Sequence, residues 1–297
     1  MTGLGALVKR NCKLFFKDKG MFFTSLITPA ILLVLYVTFL GNVYRDSFQS
    51  AIPASFPVAD KLISATVGGE LFSSLLAVCC VTVAFCSNML MVVDKVTGAR
   101  ADLTMSPVKP RTLSIGYYIS TVLSTLLVCF TATGVCFLYL AKVGWYLSAA
   151  DVALILLDVV LLVLFGTALS SIINLFLSSQ GQISAVGTVV SAGYGFICGA
   201  YMPISQFGTG LQKALSFLPG TYGTSLLRNH ALRGVFAEMT DSGFPEAVVE
   251  GIKDSVDCNI YFFGTQVHQG IMYLILAGSV VVLVGIYVLL SALRAKK

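Results

Sequence analysis

The chain has 297 residues, of which 57% are hydrophobic and 11% are charged, and it carries a formal net charge of +5 at pH 7. A soluble domain has roughly 25% charged residues, so this composition excludes an ordinary soluble protein. The apolar runs reach about 20 residues, as membrane-spanning helices require, whereas the strands of a membrane barrel would be about 10 residues of alternating polarity. We therefore predict an all-α integral membrane protein that forms a single transmembrane domain over residues 1–297.

The cysteine and charge patterns argue against several binding functions. Six of the eight cysteines lie in apolar runs and only Cys258 falls in a predicted external loop, so no external intrachain disulfide is expected. The Cys and His residues do not show metal-ligand spacing. The basic residues do not alternate with aromatic residues as they do in nucleic-acid-binding segments. We expect this chain itself to bind no metal, cofactor or nucleic acid.

The segment of residues 2–19 precedes the first apolar run and contains Lys9, Arg10, Lys13, Lys17 and Lys19. Its apolar residues fall near one helical face, which predicts an amphipathic helix on the cytosolic leaflet. A plain basic flank without a helix is the alternative.

The first predicted span covers residues 21–40 and contains Pro29. Because a long basic segment precedes this span, we do not expect it to be a cleavable signal peptide.

Residues 71–93 form the second predicted span, with Glu70 at its outer end, and a short polar loop of residues 94–112 follows. Basic loops close to membrane spans tend to stay in the cytosol, so this loop is predicted to be cytosolic. Residues 99–105 are mostly good helix formers and Ser106-Pro107 ends the run, which predicts a short helix. Such a helix between two spans is suited to docking a soluble partner. An ordinary charged loop is the alternative.

Three further spans are predicted over residues 113–140, 152–177 and 183–201. Asp151 suits the N-cap position of the fourth span. Asp158 lies within that span, where a carboxylate is a functional candidate by default, but it lies only about 10 Å from the start of the helix. We therefore favour a position at the outer interface for Asp158. In the fifth span, Gly195-x-x-x-Gly199 matches a small-residue motif that permits close contact between helices.

The segment between the fifth and the last span divides into two parts. Residues 203–236 are moderately apolar and break at Pro219-Gly220, which predicts two short amphipathic helices that re-enter the membrane without crossing it. Residues 237–266 are acidic and polar and are predicted to form an external loop. Residues 271–293 form the last predicted span.

Six spans would place both termini on the same side of the membrane. The N-terminal segment, the loop of residues 94–112 and the C-terminus carry five, four and three of the 19 Lys and Arg residues, while the acidic residues collect mainly on the other side. This asymmetry follows the positive-inside rule. We predict a multi-pass protein of the plasma (inner) membrane with both termini in the cytoplasm.

Three stretches occur in an order typical of one transporter family. The basic amphipathic start leads into a first span with Pro29. The family loop of an acidic residue, Gly-Thr, a Leu-rich turn and Ser/Thr-Pro is matched by Asp94, Gly98, Leu103, Ser106 and Pro107, with Ala99 in place of the usual Thr. The third stretch is Gly199-Ala200-Tyr201-Met202-Pro203, followed by Leu218-Pro219-Gly220-Thr221-Tyr222 and Leu226-Leu227-Arg228. The chain thus resembles the membrane subunits of ABC exporters in the second large permease family, which moves drugs, polysaccharides and lipid-linked polymers.

The resemblance implies an assembly of several chains. Two permease subunits, identical or related, would form the pathway in the lipid bilayer, and two ATPase subunits holding ATP and Mg²⁺ would bind below them. The residues implied in coupling to the ATPase are Asp94, Gly98, Arg100, Leu103, Met105 and Pro107. The residues implied in the outer gate are Pro203, Leu218, Pro219 and Tyr222. The sequence also lacks a Gly-x-x-x-x-Gly-Lys-Ser/Thr loop, so this chain is not expected to bind ATP or to be an enzyme by itself.

Three other classes of protein compete with this interpretation. An ion-coupled secondary transporter would need paired intramembrane charges, for which only Asp158 is a candidate. An intramembrane enzyme is disfavoured because His230 and His268, the two histidines, lie in the stretch before the last span without catalytic spacing. We expect both histidines at the surface or the interface. A purely structural membrane partner is the third alternative.

The residue types in the spans bear on the cargo. They are mostly Phe, Tyr, Leu, Val and small hydroxyl residues with few charges, which favours an amphipathic or hydrophobic cargo such as a drug, peptide or lipid. A polysaccharide or lipid-linked polymer is the alternative. Glu70 and Asp158 are candidate pathway charges, and either of them would favour a cationic cargo if it lines the path.

Overall fold

The computed structural model describes residues 2–51, 60–106 and 108–294, and this part of the chain is almost wholly helical. The helices are α1 Thr2–Lys17, α2 Lys19–Leu35, α3 Gly41–Ala51, α4 Asp60–Asn88, α5 Leu90–Val96, α6 Ala99–Met105, α7 Pro110–Val143, α8 Ala149–Phe176, α9 Gln180–Ile197, α10 Thr209–Leu215, α11 Pro219–Asp241, α12 Glu246–Ser255 and α13 Gln269–Arg294. A π-helical turn, Tyr36–Leu40, joins α2 to α3, and a 3₁₀ turn, Ile204–Gln206, precedes α10. Strands β1 Tyr261–Phe262 and β2 Thr265–Gln266 form an antiparallel hairpin.

Five helical stretches in the described ranges are long and apolar enough to cross a membrane, which confirms the helical membrane class. They are Lys19–Asp46, Asp60–Val96, Pro110–Val143, Ala149–Phe176 and Gln269–Arg294. Helix α9, which corresponds to the fifth of the six predicted spans, has 18 residues and is not among these five. Its glycines, serines and glutamines lower its hydropathy.

Helix α4 forms the centre of the molecule. Its apolar stretch is almost entirely buried, and it packs against α2, α7, α8 and α11. Many of its residues are small, so neighbouring helices can approach closely. At Gly166 of α8, for example, a Cβ atom would lie 3.0 Å from the Cα atom of Val81 in α4. A helix that is apolar on every side is expected in such a central position.

The termini of two helices differ from the sequence prediction. Helix α4 begins at Asp60, so Glu70 lies about 15 Å inside the helix rather than at its outer end. At α8, Ser148 is the N-cap and Asp151 is the third helical residue of a capping box. The Asp151 carboxylate accepts hydrogen bonds from the Ser148 backbone N–H (2.9 Å) and hydroxyl (2.7 Å). The N-cap assignment of Asp151 was therefore wrong by three residues.

The prediction of two short amphipathic helices over residues 203–236 was wrong for the second helix. Helix α10 is short, with seven residues, but α11 has 23 residues and is largely buried. Pro219 at its first turn starts the helix rather than ending one. Helix α11 packs against α4, α8 and α13. These tertiary contacts stabilise a long helix that the sequence pattern alone does not predict. Its re-entrant path stays a prediction.

The Gly195-x-x-x-Gly199 motif does not form a helix-packing surface. Helix α9 ends at Ile197, and Gly199 lies beyond it with φ +75°, a left-handed conformation that favours glycine. Gly195 instead accommodates the ring of Tyr201, since a Cβ atom at Gly195 would lie 2.4 Å from that ring. The two glycines permit a tight reversal of the chain after α9.

The terminal segments pack against the bundle. Helix α1 lies on α7 and buries Leu7 and Phe15, while Lys9 and Lys13 are exposed. The predicted N-terminal helix is confirmed, and its location at a membrane surface stays a prediction. The predicted external loop of residues 237–266 contains the end of α11, helix α12 and the β-hairpin.

Candidate functional site

A groove with a volume of about 1560 Å³ runs along the bundle between α2–α3 and α9. Helices α2 and α9 both pack against α4, and α4 supplies the floor of the groove. The groove extends from Asp18, at the start of α2, to Ile252 in α12. Its lining is mainly apolar and includes Ile27, Ile31, Phe39, Ile183, Gly187 and Phe196. A long amphipathic molecule would therefore find apolar surface on both walls.

Glu70 of α4 lines this groove and is only 3% exposed. Its Oε1 atom has no hydrogen-bond partner within the described ranges. A buried carboxylate oxygen without a partner is energetically costly. The sequence prediction that Glu70 borders a pathway is thus compatible with its position, although it lies deeper in the helix than expected.

Arg228 of α11 lies beside this part of the groove and is fully buried. Its guanidinium donates hydrogen bonds to the carbonyl oxygens of Gly199 and Val256 and to the hydroxyl of Ser74. It also forms an ion pair with Asp257, at 3.4 Å. The Asp257 carboxylate in turn accepts the backbone N–H groups of Ile204 and Ser205, the latter at 3.0 Å. We call Arg228 and Asp257 the buried ion pair; it joins α11 to α4 and to the segments after α9 and α12.

The four predicted gate residues lie in two segments of the chain. Pro203 is buried and lines the groove. Leu218, Pro219 and Tyr222 lie at the junction between α10 and α11. The Tyr222 hydroxyl donates to the Ser216 carbonyl at 2.5 Å, which stabilises the turn into α11.

The predicted coupling residues divide into exposed and buried groups. Helix α6 begins after Gly98, which has φ +83°, and it has the predicted bounds. Met105, at its end, is 80% exposed. Leu103 is half-buried and packs against a cluster that includes Leu7. Arg100 is also half-buried, and Pro107 lies outside the described residues.

Asp94 is not available for docking a partner because it is buried, with 4% exposure. It pairs with Arg10 of α1 at 2.7 Å and accepts a hydrogen bond from the Tyr117 hydroxyl of α7 at 2.6 Å. The hydrogen bond to Asp94 raises the pKa of Arg10 above its ordinary value. Asp94 therefore joins α1 and α7 to α5, a structural role that the sequence analysis did not predict.

Two cations lie on the carbonyl groups at the C-terminal end of α8. Lys95 Nζ donates to the carbonyl oxygens of Asn174, Leu175 and Leu177 at 2.9, 3.0 and 3.2 Å. Arg294, at the end of α13, also donates to the Leu175 carbonyl. The last carbonyl groups of a helix have no intrahelical partners and attract cations. These contacts place α1, α5, α6 and the ends of α8 and α13 at one end of the molecule, which we call the basic end.

Asp158 and His230 are both buried, so their predicted surface positions were wrong. Asp158 is 0% and His230 2% exposed. His230 Nδ1 lies 2.6 Å from Asp158 Oδ2, and the Tyr273 hydroxyl donates to Asp158 Oδ1 at 2.6 Å. This cluster joins α8, α11 and α13 and lies apart from the residues that line the groove. His268 is exposed, as expected.

Across residues 2–51, 60–106 and 108–294, no group of three or more His, Cys, Asp or Glu side chains is arranged to hold a metal ion. The architecture is that of a polytopic helical membrane protein with a deep groove along one side of its central helix. The family model of the ABC-2 type transporter matches residues 2–231, and the chain belongs to this family. It is therefore a transmembrane subunit of an ABC transporter, and family membership implies ABC ATPase partners. A comparison with curated proteins gave no match.

Proposed function

We propose that this subunit belongs to an ATP-driven exporter and that the groove forms one half of its pathway. The observation that carries the proposal is the groove itself, which extends along α2 and α9 and is lined mainly by apolar residues. Two permease subunits, identical or related, place their grooves face to face and enclose the path. The apolar walls favour an amphipathic or hydrophobic cargo, such as a drug, a peptide or a lipid.

The proposed topology has six spans, with α9 as the fifth. Its 18 residues correspond to about 27 Å, close to the roughly 30 Å of a hydrocarbon core. The basic end faces the cytoplasm, as the positive-inside rule requires, so both termini are cytoplasmic and the membrane is the plasma (inner) membrane. Helix α1 lies at the cytoplasmic surface, while α10 and the start of α11 shape the outer gate.

The proposed energy source is a pair of separate ATPase subunits that bind ATP and Mg²⁺. Support comes from the family and from the absence of a phosphate-binding Gly-x-x-x-x-Gly-Lys-Ser/Thr loop in this sequence. Helix α6 projects from the basic end between two long helices and presents the exposed Met105. It docks on the ATPase and couples nucleotide turnover to the permease.

Copurification with an ATPase tests this proposal. The chain is expressed with the ATPase encoded beside it, purified through a tag on the permease and assayed for ATP hydrolysis. We expect a stable complex of two permease and two ATPase subunits with measurable ATPase activity. A permease that purifies as a stable protein without any ATPase, and whose membranes show no ATP-driven export, would contradict the proposal.

A further inference from the structure

We infer that the groove selects a positively charged amphipathic cargo and that the cation binds at Glu70. This inference rests on the proposed transport function and specifies the class of cargo. It combines three observations: a large apolar groove, a buried acid in its wall, and a single nearby guanidinium that is already paired with another carboxylate.

The position of Glu70 separates it from ordinary surface acids. It lies about 15 Å inside α4, is 97% buried, and still belongs to the groove lining. Oε1 finds no hydrogen-bond donor in the part of the chain that the structure describes. The hydroxyl of Thr66, one turn earlier, donates to the Leu62 carbonyl rather than to Glu70. Glu70 is therefore a carboxylate of the groove wall that the protein itself leaves incompletely satisfied.

Glu70 shares its neighbouring cation with a second carboxylate. Arg228 interacts electrostatically with both Glu70 and Asp257, so one guanidinium stands against two carboxylates. The ion pair of Arg228 is with Asp257, and its Nη1 and Nη2 atoms donate to Ser74, Gly199, Val256 and Asp257. Its Nε atom also lacks a partner within the described ranges, but Arg228 is set behind the groove wall rather than in its lining. Of these two carboxylates, Glu70 is the one that lines the groove, and no ion pair to it is found among the described residues.

The surroundings of Glu70 suit an organic cation better than a bare metal ion. Among the described residues, Glu70 is the one carboxylate in this part of the groove lining, whereas a metal ion would require several oxygen ligands. Tyr44, which lines the groove and interacts electrostatically with Glu70, supplies an aromatic ring close to the same position. Aromatic rings attract organic cations. The apolar walls farther along the groove then accept the hydrophobic part of the molecule.

A matched pair of probes separates charge from hydrophobicity. Tetraphenylphosphonium and tetraphenylborate have nearly the same size and shape and opposite charges. We would measure the binding of each to the permease–ATPase complex in nanodiscs, after subtracting the uptake by empty nanodiscs. The wild-type complex should bind the cation in preference to the anion. Glu70→Gln should weaken cation binding about tenfold or more, which is typical of a lost charge-assisted contact, and Glu70→Asp should retain most of it.

Glu238→Gln provides the control because it removes the same charge at a position outside the groove lining. Glu238 is exposed near the end of α11, so the fold should be unchanged. Thermal unfolding of each variant shows whether a loss of binding reflects misfolding. If folded Glu70→Gln binds the cation as well as the wild type does, or if Glu238→Gln weakens binding equally, the cation site is refuted. An intact, ATP-hydrolysing complex would then still support the transport proposal, whereas the absence of any complex would refute that proposal separately.

Discussion

At the scale of single residues, the buried ion pair of Arg228 and Asp257 is the contact with the largest expected energetic effect. The side chains of Arg228 and Asp257 are 0% and 5% exposed. They form hydrogen bonds with backbone N–H and carbonyl groups of three separate segments. Removal of one partner from a buried pair leaves an uncompensated charge and costs about 3–5 kcal/mol. The pairing joins residues 29 positions apart and is not visible in any local pattern of the sequence.

Arg228→Met should therefore lower the free energy of unfolding by about 3–5 kcal/mol. Arg45→Met is the matched control, because Arg45 pairs with Asp60 at 2.6 Å but the two side chains are 40% and 85% exposed. Exposed pairs contribute about 0–1 kcal/mol, so the control should be almost neutral. Denaturation in mild detergent, followed by the fluorescence of Trp145, measures both variants. Equal losses in the two would show that Arg228 has no special role.

Gly234 provides a second prediction at this scale. A Cβ atom there would lie 1.8 Å from the carbonyl oxygen of Tyr146, in the backbone that joins α7 to α8. Gly234→Ala should therefore cost about 1–3 kcal/mol through overpacking. Gly251→Ala in α12, where the added methyl group meets nothing within 4 Å, should instead stabilise by up to about 1 kcal/mol because alanine is the better helix former. The prediction fails if thermal unfolding shows the same sign for both changes.

At the scale of elements, helices whose ends are marked by glycine or proline in the sequence could be predicted. Helix α6 has the predicted bounds because Gly98 starts it and the Ser106-Pro107 pair follows it. Helix α11 was predicted to be short because its sequence alternates small, polar and apolar residues, yet burial against three helices extends it to 23 residues. The positions of Asp158 and His230 were wrong for the same reason, since their contact joins residues 72 positions apart.

The role of α6 is tested best at Met105. Met105→Asp should reduce the amount of ATPase that copurifies by about tenfold, because a charge replaces an apolar side chain at the proposed interface, while thermal unfolding stays unchanged. Phe217→Asp, a change at another exposed apolar residue near the start of α11, should retain the ATPase. Leu103→Asp is unsuitable as a test, because Leu103 packs within the protein. Undiminished copurification of Met105→Asp would remove α6 from its proposed role.

At the scale of the whole molecule, hydropathy predicted the membrane class, the approximate spans and the segregation of basic residues. It did not predict the groove, because the groove forms only when residues of α2 and α9, more than 140 positions apart in the sequence, come together over α4. The position of α9 beside the groove accounts for its small residues. They keep α9 out of the set of five strongly apolar stretches, and five of them line the groove: Ser184, Gly187, Thr188, Ser191 and Ala192.

The consecutive residues Asp94 and Lys95 are anchored to different parts of the bundle. Asp94 binds α1 and α7, while Lys95 binds the end of α8, where Arg294 of α13 also converges. Both residues belong to α5, which leads directly into α6. Two consecutive residues thus connect the chain just before α6 to three helices, α1, α7 and α8. A displacement of α6 would therefore act on all three helices at once.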